Sequence, residues 1–201
     1  MAVTRKTNAQ YSAETQRKLL DAARRELARL GYAETATERI VALAGVTRGA
    51  LYHHYAGKRE LFEAVFEELS AEIAQRIERR AARAREPFAA LVAGCEAWLD
   101  ACLDPEVQQI ALLDAPAVLG WRRWTEIDAQ HGTGRLREGI DACLAAGVFT
   151  GVDALALTRL VAGALNEVAL LLAAAPPKDA PKLRRDVGRT LRALLEGLRA
   201  T

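Results

Sequence analysis

The stretch Thr37–Lys58, TERIVALAGVTRGALYHHYAGK, decides the architecture. Ile40, Val41 and Ala44 make the apolar side of a short helix that starts from a cap at Thr35 or Thr37 and ends at Gly45. Thr47 then caps a very short helix running through Tyr52 and His53. Between them, Gly45 can take the left-handed conformation of a tight turn, and Val46 can plug the angle between the two axes. The result is a helix-turn-helix. Its second helix carries Thr47, Arg48, Gly49 and Ala50 in the first turn, with little bulk, so that this end can approach the edges of base pairs. A glycine turn can join any helical hairpin, and geometry by itself leaves DNA binding open.

Outward from this stretch the chain reads as all-α. Ser12 is a candidate cap for a first helix with Leu20, Ala23, Leu27 and Leu30 on one stripe and Gly31 as its stop. A fourth helix begins near Lys58 and is long, with Leu61, Phe62, Val65, Phe66, Leu69, Ile73 and Ile77 on one face before the charged run Glu78 to Glu86, which reads as a solvated face continuing to Arg85. Beyond Pro87, helices are expected at about 88–103, 106–114, 121–145, 153–174 and 182–199, with breaks at Pro105, at Pro116 with Gly120, at 147–151, and at Pro176, Pro177 and Pro181. Residues 1–57 form the helix-turn-helix part in this division, and residues 58–201 a longer helical body.

Composition narrows the function. Residues 1–60 hold 11 Lys and Arg against 6 Asp and Glu, whereas the remainder holds 17 against 20, so a basic head of +5 sits on a body of −3. A polyanion partner suits the head. No uncharged run is long enough to span a bilayer, and the N-terminus MAVTRKTNAQ has no apolar segment of a secretory signal, so a cytoplasmic protein is expected. Cys95, Cys102 and Cys143 form no CxxC pair; they read as small buried hydrophobes, with no metal and no cofactor expected. There is no GxGxxG, GxxxxGK[ST], HExxH or GxSxG, and His131 and the adjacent His53 and His54 lie away from any paired carboxylates. An enzyme is not expected.

The segment AGVTRGALYHHYAGKRELFEAVF closely resembles the signature of the tetracycline-repressor (TetR) family of transcriptional regulators, through Thr37, Ala44, Gly45, Val46, Thr47, Gly49, Leu51, Tyr52, His54, Tyr55 and Lys58. The resemblance covers about the first 70 residues. It implies a ligand-responsive regulator, most simply a repressor, that binds a palindromic operator in double-stranded DNA as a homodimer and is released by a small, mostly apolar effector. It assigns Thr37, Tyr52, His54 and Lys58 to phosphate contacts and Thr47, Arg48, Gly49 and Ala50 to the major groove, with His53 beside them. Lys58 at a helix N-terminus opposes the helix dipole, which a nearby anion would explain. Packing of Tyr52 and His54 under the fourth helix, and simple exposure of Arg48, are the competing readings. Two departures stand out: Ala36 where a second Thr is common, and the acidic Glu38. Arg5 and Lys6 read either as a minor-groove arm or as a disordered terminus.

In the body, Trp98, Cys102, Trp121, Trp124, Asn166 and Glu167 are the candidate ligand-binding residues. Trp98 and Cys102 lie one turn apart, Trp121 follows the irregular APAVLG segment, and Asn166 and Glu167 are the strongly polar residues between Leu160 and Ala175. Core packing is the competing reading for each tryptophan. The last two helices are expected to form a four-helix dimer interface, the final one through Leu183, Val187, Leu191, Leu194 and Leu198. An architectural DNA-binding protein is the rival class, although bending DNA needs no body of this size.

Overall fold

The computed structural model describes residues 7–199 and contains helices and turns, with no strand among the described residues. The order is α1 (Asn8–Glu34), α2 (Thr37–Ala44), α3 (Arg48–His54), α4 (Lys58–Ala81), α5 (Pro87–Ala101), α6 (Pro105–Val107), a π-helical segment (Gln108–Asp114), α7 (Ala115–Leu119), α8 (Trp121–His131), α9 (Thr133–Ala145), α10 (Ala154–Ala174) and α11 (Ala180–Glu196). They fall into two compact units, residues 1–67 and 68–201, and α4 contributes to both. The Arg5–Lys6 arm lies outside the described residues.

In the first unit, α1 starts one turn before Ser12. Thr7 is its cap, accepting the Gln10 backbone N–H while the Gln10 side chain accepts the Thr7 N–H, a reciprocal box that Ser12 inside the helix cannot make. Gly31, at φ 75°, breaks the regular helix as expected, and a final turn carries on to Glu34. Neither threonine expected to cap α2 does so. Thr35 ends α1 instead, buried with its hydroxyl donating to the Gly31 carbonyl at 2.7 Å, Ala36 occupies the cap position, and Thr37 is the first helical residue. The core of this unit gathers Leu19, Ala23 and Leu27 of α1, Ile40 and Val41 of α2, Leu51 of α3, and Leu61, Phe62, Val65 and Phe66 of α4. Glu26 is buried here as well. Its carboxylate takes Arg29 on its own helix and Arg39 on α2, so one paired charge ties the two helices together.

The second unit buries Phe88, Leu91, Val92, Cys95 and Leu99 of α5 against Ile140 and Cys143 of α9, Leu157, Val161, Leu165, Ala169 and Leu172 of α10, and Leu191 and Leu195 of α11. All three cysteines are buried, as expected. Several boundaries differ from expectation. Helix α4 stops at Ala81 rather than Arg85, and Glu78 and Arg80 within the charged run are ion-paired with Arg135 and Asp100 rather than merely solvated. Gly132 divides the single helix expected over 121–145 into α8 and α9. Pro116 does not interrupt the chain: it sits in the first turn of α7, where its missing N–H costs nothing, and Gly120 at φ 78° makes the break.

Helix α10 is long and apolar enough to cross a membrane by length and composition, although it carries Arg159 and Glu167. Its apolarity has two destinations. One stripe enters the core, and on the other side Leu155, Leu160, Leu170 and Leu171 lie exposed, Leu160 by 73%. On α11, Leu194 is likewise 66% exposed while Leu191 and Leu195 point inward.

Candidate nucleic-acid interface and body cavity

The turn between α2 and α3 is built as the sequence suggests. Gly45 adopts φ 64° and ψ 35°, and the Gly45 and Val46 N–H groups return to the Ala42 and Val41 carbonyls, closing the end of α2. Thr47 caps α3, its hydroxyl oxygen accepting the Ala50 N–H at 3.2 Å. This arrangement leaves Thr47, Arg48 and Gly49 exposed with Ala50 half-buried, while Leu51 anchors the helix in the core. Tyr52 and His53 are exposed, and Thr37, His54 and Lys58 are half-buried. Tyr52, at 46% exposure, is not packed away under a neighbouring helix, whereas Tyr55 is buried, at 4%.

The charged groups on this face engage one another. Arg48 lies 3.6 Å from Glu38 and places its guanidinium 5.5 Å from the centre of the Tyr52 ring, so α2 and α3 are bridged across the exposed surface. Glu38 also accepts the Thr37 hydroxyl, and its carboxyl is held below the usual range, chiefly by its own backbone N–H, then by Thr37, with Arg48 adding attraction. Lys58 has intramolecular partners as well. Its ammonium sits 4.3 Å from the centre of the Tyr32 ring and donates to the Ala33 carbonyl at the end of α1, so its position at a helix N-terminus needs no external anion. Tyr32 in turn meets Phe62 edge to face at 5.2 Å.

The body contains a cavity of about 380 Å³ among α4, α5, α8, α9 and α10. Ile77, Leu91, Trp98, Leu136 and Leu165 supply its apolar lining, and Gly94 and Gly139 let the helices close around it: a Cβ on Gly139 would lie 3.0 Å from the Leu91 side chain. Polar groups enter at Glu78, Asp128, Thr133, Arg135, Glu138 and Asn166. Arg135 bridges helices, contacting Glu78 of α4 at 2.6 Å and Glu138 of α9 at 2.9 Å. Asp128 accepts from the Thr133 hydroxyl and backbone, while burial raises its pKa above the usual carboxylate value.

Of the six residues expected to bind a ligand, Trp98 and Asn166 line this cavity. The other four do not. Trp121 is 73% exposed at the first position of α8, directly after the turn at Gly120, and its ring lies 5.2 Å from that of the half-buried Trp124 with a tilt of 37°. Cys102 is fully buried in the core, and Glu167 is exposed on the outer side of α10, one residue on from Asn166 and therefore turned by about 100°. The missed lining residues Arg135, Leu136, Gly139 and Ala142 form one stripe of α9, with Gly132 just before its start, and reading the segment as one helix with α8 concealed it.

Residues 88–198 match the family profile described as tetracyclin repressor-like, C-terminal domain, and residues 19–65 match that of bacterial regulatory proteins, tetR family. The chain belongs to the TetR family. A TetR-family transcriptional regulator of Pectobacterium atrosepticum has the same fold, with a TM-score of 0.82 and 33% identity over 98% of this chain and 99% of that one. The transposon Tn10 TetC protein of Escherichia coli is 24% identical over 78% of this chain and 79% of its own length. The regulator CymR of Pseudomonas putida is 41% identical over 83 residues, and the match spans 41% of its length. RolR, solved in complex with resorcinol, shares the fold at a TM-score of 0.69 and 18% identity over 94% of this chain and 96% of that one. These TetR-family relatives named as regulators are not enzymes.

Proposed function

We propose that this TetR-family chain binds an inverted-repeat operator in double-stranded DNA as a homodimer and that a small, mostly apolar molecule in the body cavity lowers its affinity for that operator. The observation that carries the reading is the Thr47-capped start of α3, with Arg48 and Gly49 exposed and Leu51 fixing the helix from behind. A helix end so trimmed enters a major groove with Arg48 as the donor to a guanine edge. Thr37, Thr47, Gly49, Ala50, Tyr52, His53, His54 and Lys58 then supply backbone and groove contacts around it.

The dimer rests on the exposed leucines of α10 and α11, since a second copy laid on this surface removes Leu160, Leu171 and Leu194 from water. The division into a DNA-binding domain over 1–57 and an effector domain over 58–201 belongs to the same proposal, with α4 as the covalent link. An effector acts through α4 as far as it favours a geometry in which the paired α3 helices miss their grooves.

Selection of bound sequences from random duplexes tests the reading. Recovery of one inverted repeat, together with loss of base preference at a defined position in Arg48→Ala, is the expected outcome. Binding of all duplexes alike by the parent protein rejects it.

A further inference from the structure

The charges lining the body cavity are unequal. Four carboxylates, Glu78, Glu86, Asp128 and Glu138, face two guanidinium groups, Arg85 and Arg135. Arg135 is already committed. Its terminal nitrogens hold Glu78 at 2.6 Å and Glu138 at 2.9 Å, and its Nε is buried without a hydrogen-bond partner, closed to a ligand. An anion entering here would have to displace a carboxylate to reach it. Arg85 is exposed at the rim beside Glu86 and offers no net charge there.

Asp128 is in the opposite situation. Its carboxylate sits in the cavity wall with two hydrogen bonds from Thr133, and no ion pair reaches it among the described residues; Arg159 and His131 act on it only at longer range. Desolvation of this group outweighs the stabilisation that those neighbours give, and its pKa is raised. The remaining polar groups are neutral: Cys95, whose thiol is pushed up to about 12, and Asn166, whose amide makes no hydrogen bond among the described residues. Asn166 and Asp128 each offer this cavity an oxygen that accepts from an ammonium group, and Trp98 presents an aromatic surface that tolerates a cation.

Resting on the effector reading of this cavity, we infer that it selects a lipophilic monocation, an aromatic or aliphatic body seated among Ile77, Leu91, Trp98 and Leu165 with a protonated amine toward Asp128. Its volume is in the range that accommodates small ligands.

Three probes that share one ring system test this by calorimetry on the full chain at pH 7.5: 1-naphthylmethylamine, 1-naphthalenemethanol and 1-naphthoate, charged +1, 0 and −1. The amine is expected to bind about tenfold or more tightly than naphthoate. Asp128→Asn should remove the advantage of the amine over the alcohol while leaving the alcohol within about twofold of its parental affinity. Because Asp128 also receives Thr133 at the start of α9, Glu138→Gln serves as a second variant; it lies at the exposed rim and should reduce the amine-to-naphthoate ratio about threefold. Naphthoate binding as tightly as the amine, failure of the amine to bind, or parental ratios in both variants overturns the inference. Gel shifts on the selected operator separate it from the reading it rests on. An amine that binds with the expected preference but leaves operator affinity unchanged defeats effector control and not the charge selectivity, whereas release of DNA by naphthoate alone does the reverse.

Discussion

The α2–α3 hairpin and the body cavity are both assembled from helix faces, yet they are specified at different ranges. The groups that shape the turn and the start of α3 lie within a short stretch of sequence: Gly45 sets the turn, Thr47 caps α3, and Glu38 reaches Arg48. The cavity draws on α4, α5, α8, α9 and α10, with Glu78 and Arg135 almost sixty residues apart in a single ion pair. A surface written locally can be recognised from a short motif. One written by packing depends on which side each long helix turns inward, and a single misplaced boundary moves it.

The contrast can be broken most severely at the exposed leucines, which belong to neither region. Leu160→Glu combined with Leu194→Glu places charge on the proposed dimer surface without touching the core, and should cost about 3 kcal/mol or more of dimer stability. Sedimentation should then give a monomer with unchanged helicity that no longer prefers an inverted repeat. The same change at Leu191, which is buried in its own subunit, should instead unfold the body.

A smaller effect is expected on the hairpin. Arg48→Ala should cost about 1–3 kcal/mol at one base position. Glu38→Gln should move affinity the other way, strengthening binding to all duplexes alike, because it frees Arg48 from its 3.6 Å partner and removes a negative charge from the proposed DNA face. Fluorescence titration at two salt concentrations distinguishes a uniform gain from a change in base preference.

Glu26 sharpens the comparison by pH. Its carboxyl is held below the usual value, first by the hydrogen bond from Arg29 and further by Arg39, so its contribution is present above the unfolded pKa, near 4.5, and is lost as the pH falls through the depressed folded value. Thermal melts of Glu26→Gln should therefore fall below the parent at pH 7 and converge with it at low pH, with the cavity-bearing unit unaffected. The smallest effect concerns the tryptophans: Trp121→Ala should leave binding of the naphthyl probes unchanged, whereas Trp98→Ala should weaken it measurably by calorimetry.

Much of the fold was legible from the sequence because glycine and proline punctuate it where the backbone demands. Gly45 and Gly120 both take positive φ; Gly45 ends α2 where expected, and Gly120 makes the expected break before α8. Thr47 was identifiable as a cap since a threonine directly after a glycine turn has few other uses. The caps of α1 and α2 were not, because Thr7, Ser12, Thr35 and Thr37 are equivalent by residue type and only packing selects among them. The cavity was legible only in part. Trp98 and Asn166 point inward, but an aromatic residue at a helix start, such as Trp121, carries no local sign of the direction it faces. Nothing in its local sequence sets Arg135 apart from a surface charge, because its partner Glu78 stands on a helix distant in the chain.

Cys95 carries a practical consequence. Its thiol lies in the cavity wall, 4% exposed, with a pKa pushed up to about 12 chiefly by burial and next by Glu96, so it is almost entirely un-ionised at neutral pH and inert toward alkylating reagents and mild oxidants. Labelling at this position requires the cavity to open. The rate at which a small maleimide modifies Cys95, read at this residue by peptide mapping because Cys102 and Cys143 are buried free thiols as well, thus clocks the opening of the body cavity, and its slowing by a bound compound gauges occupancy with no engineered probe.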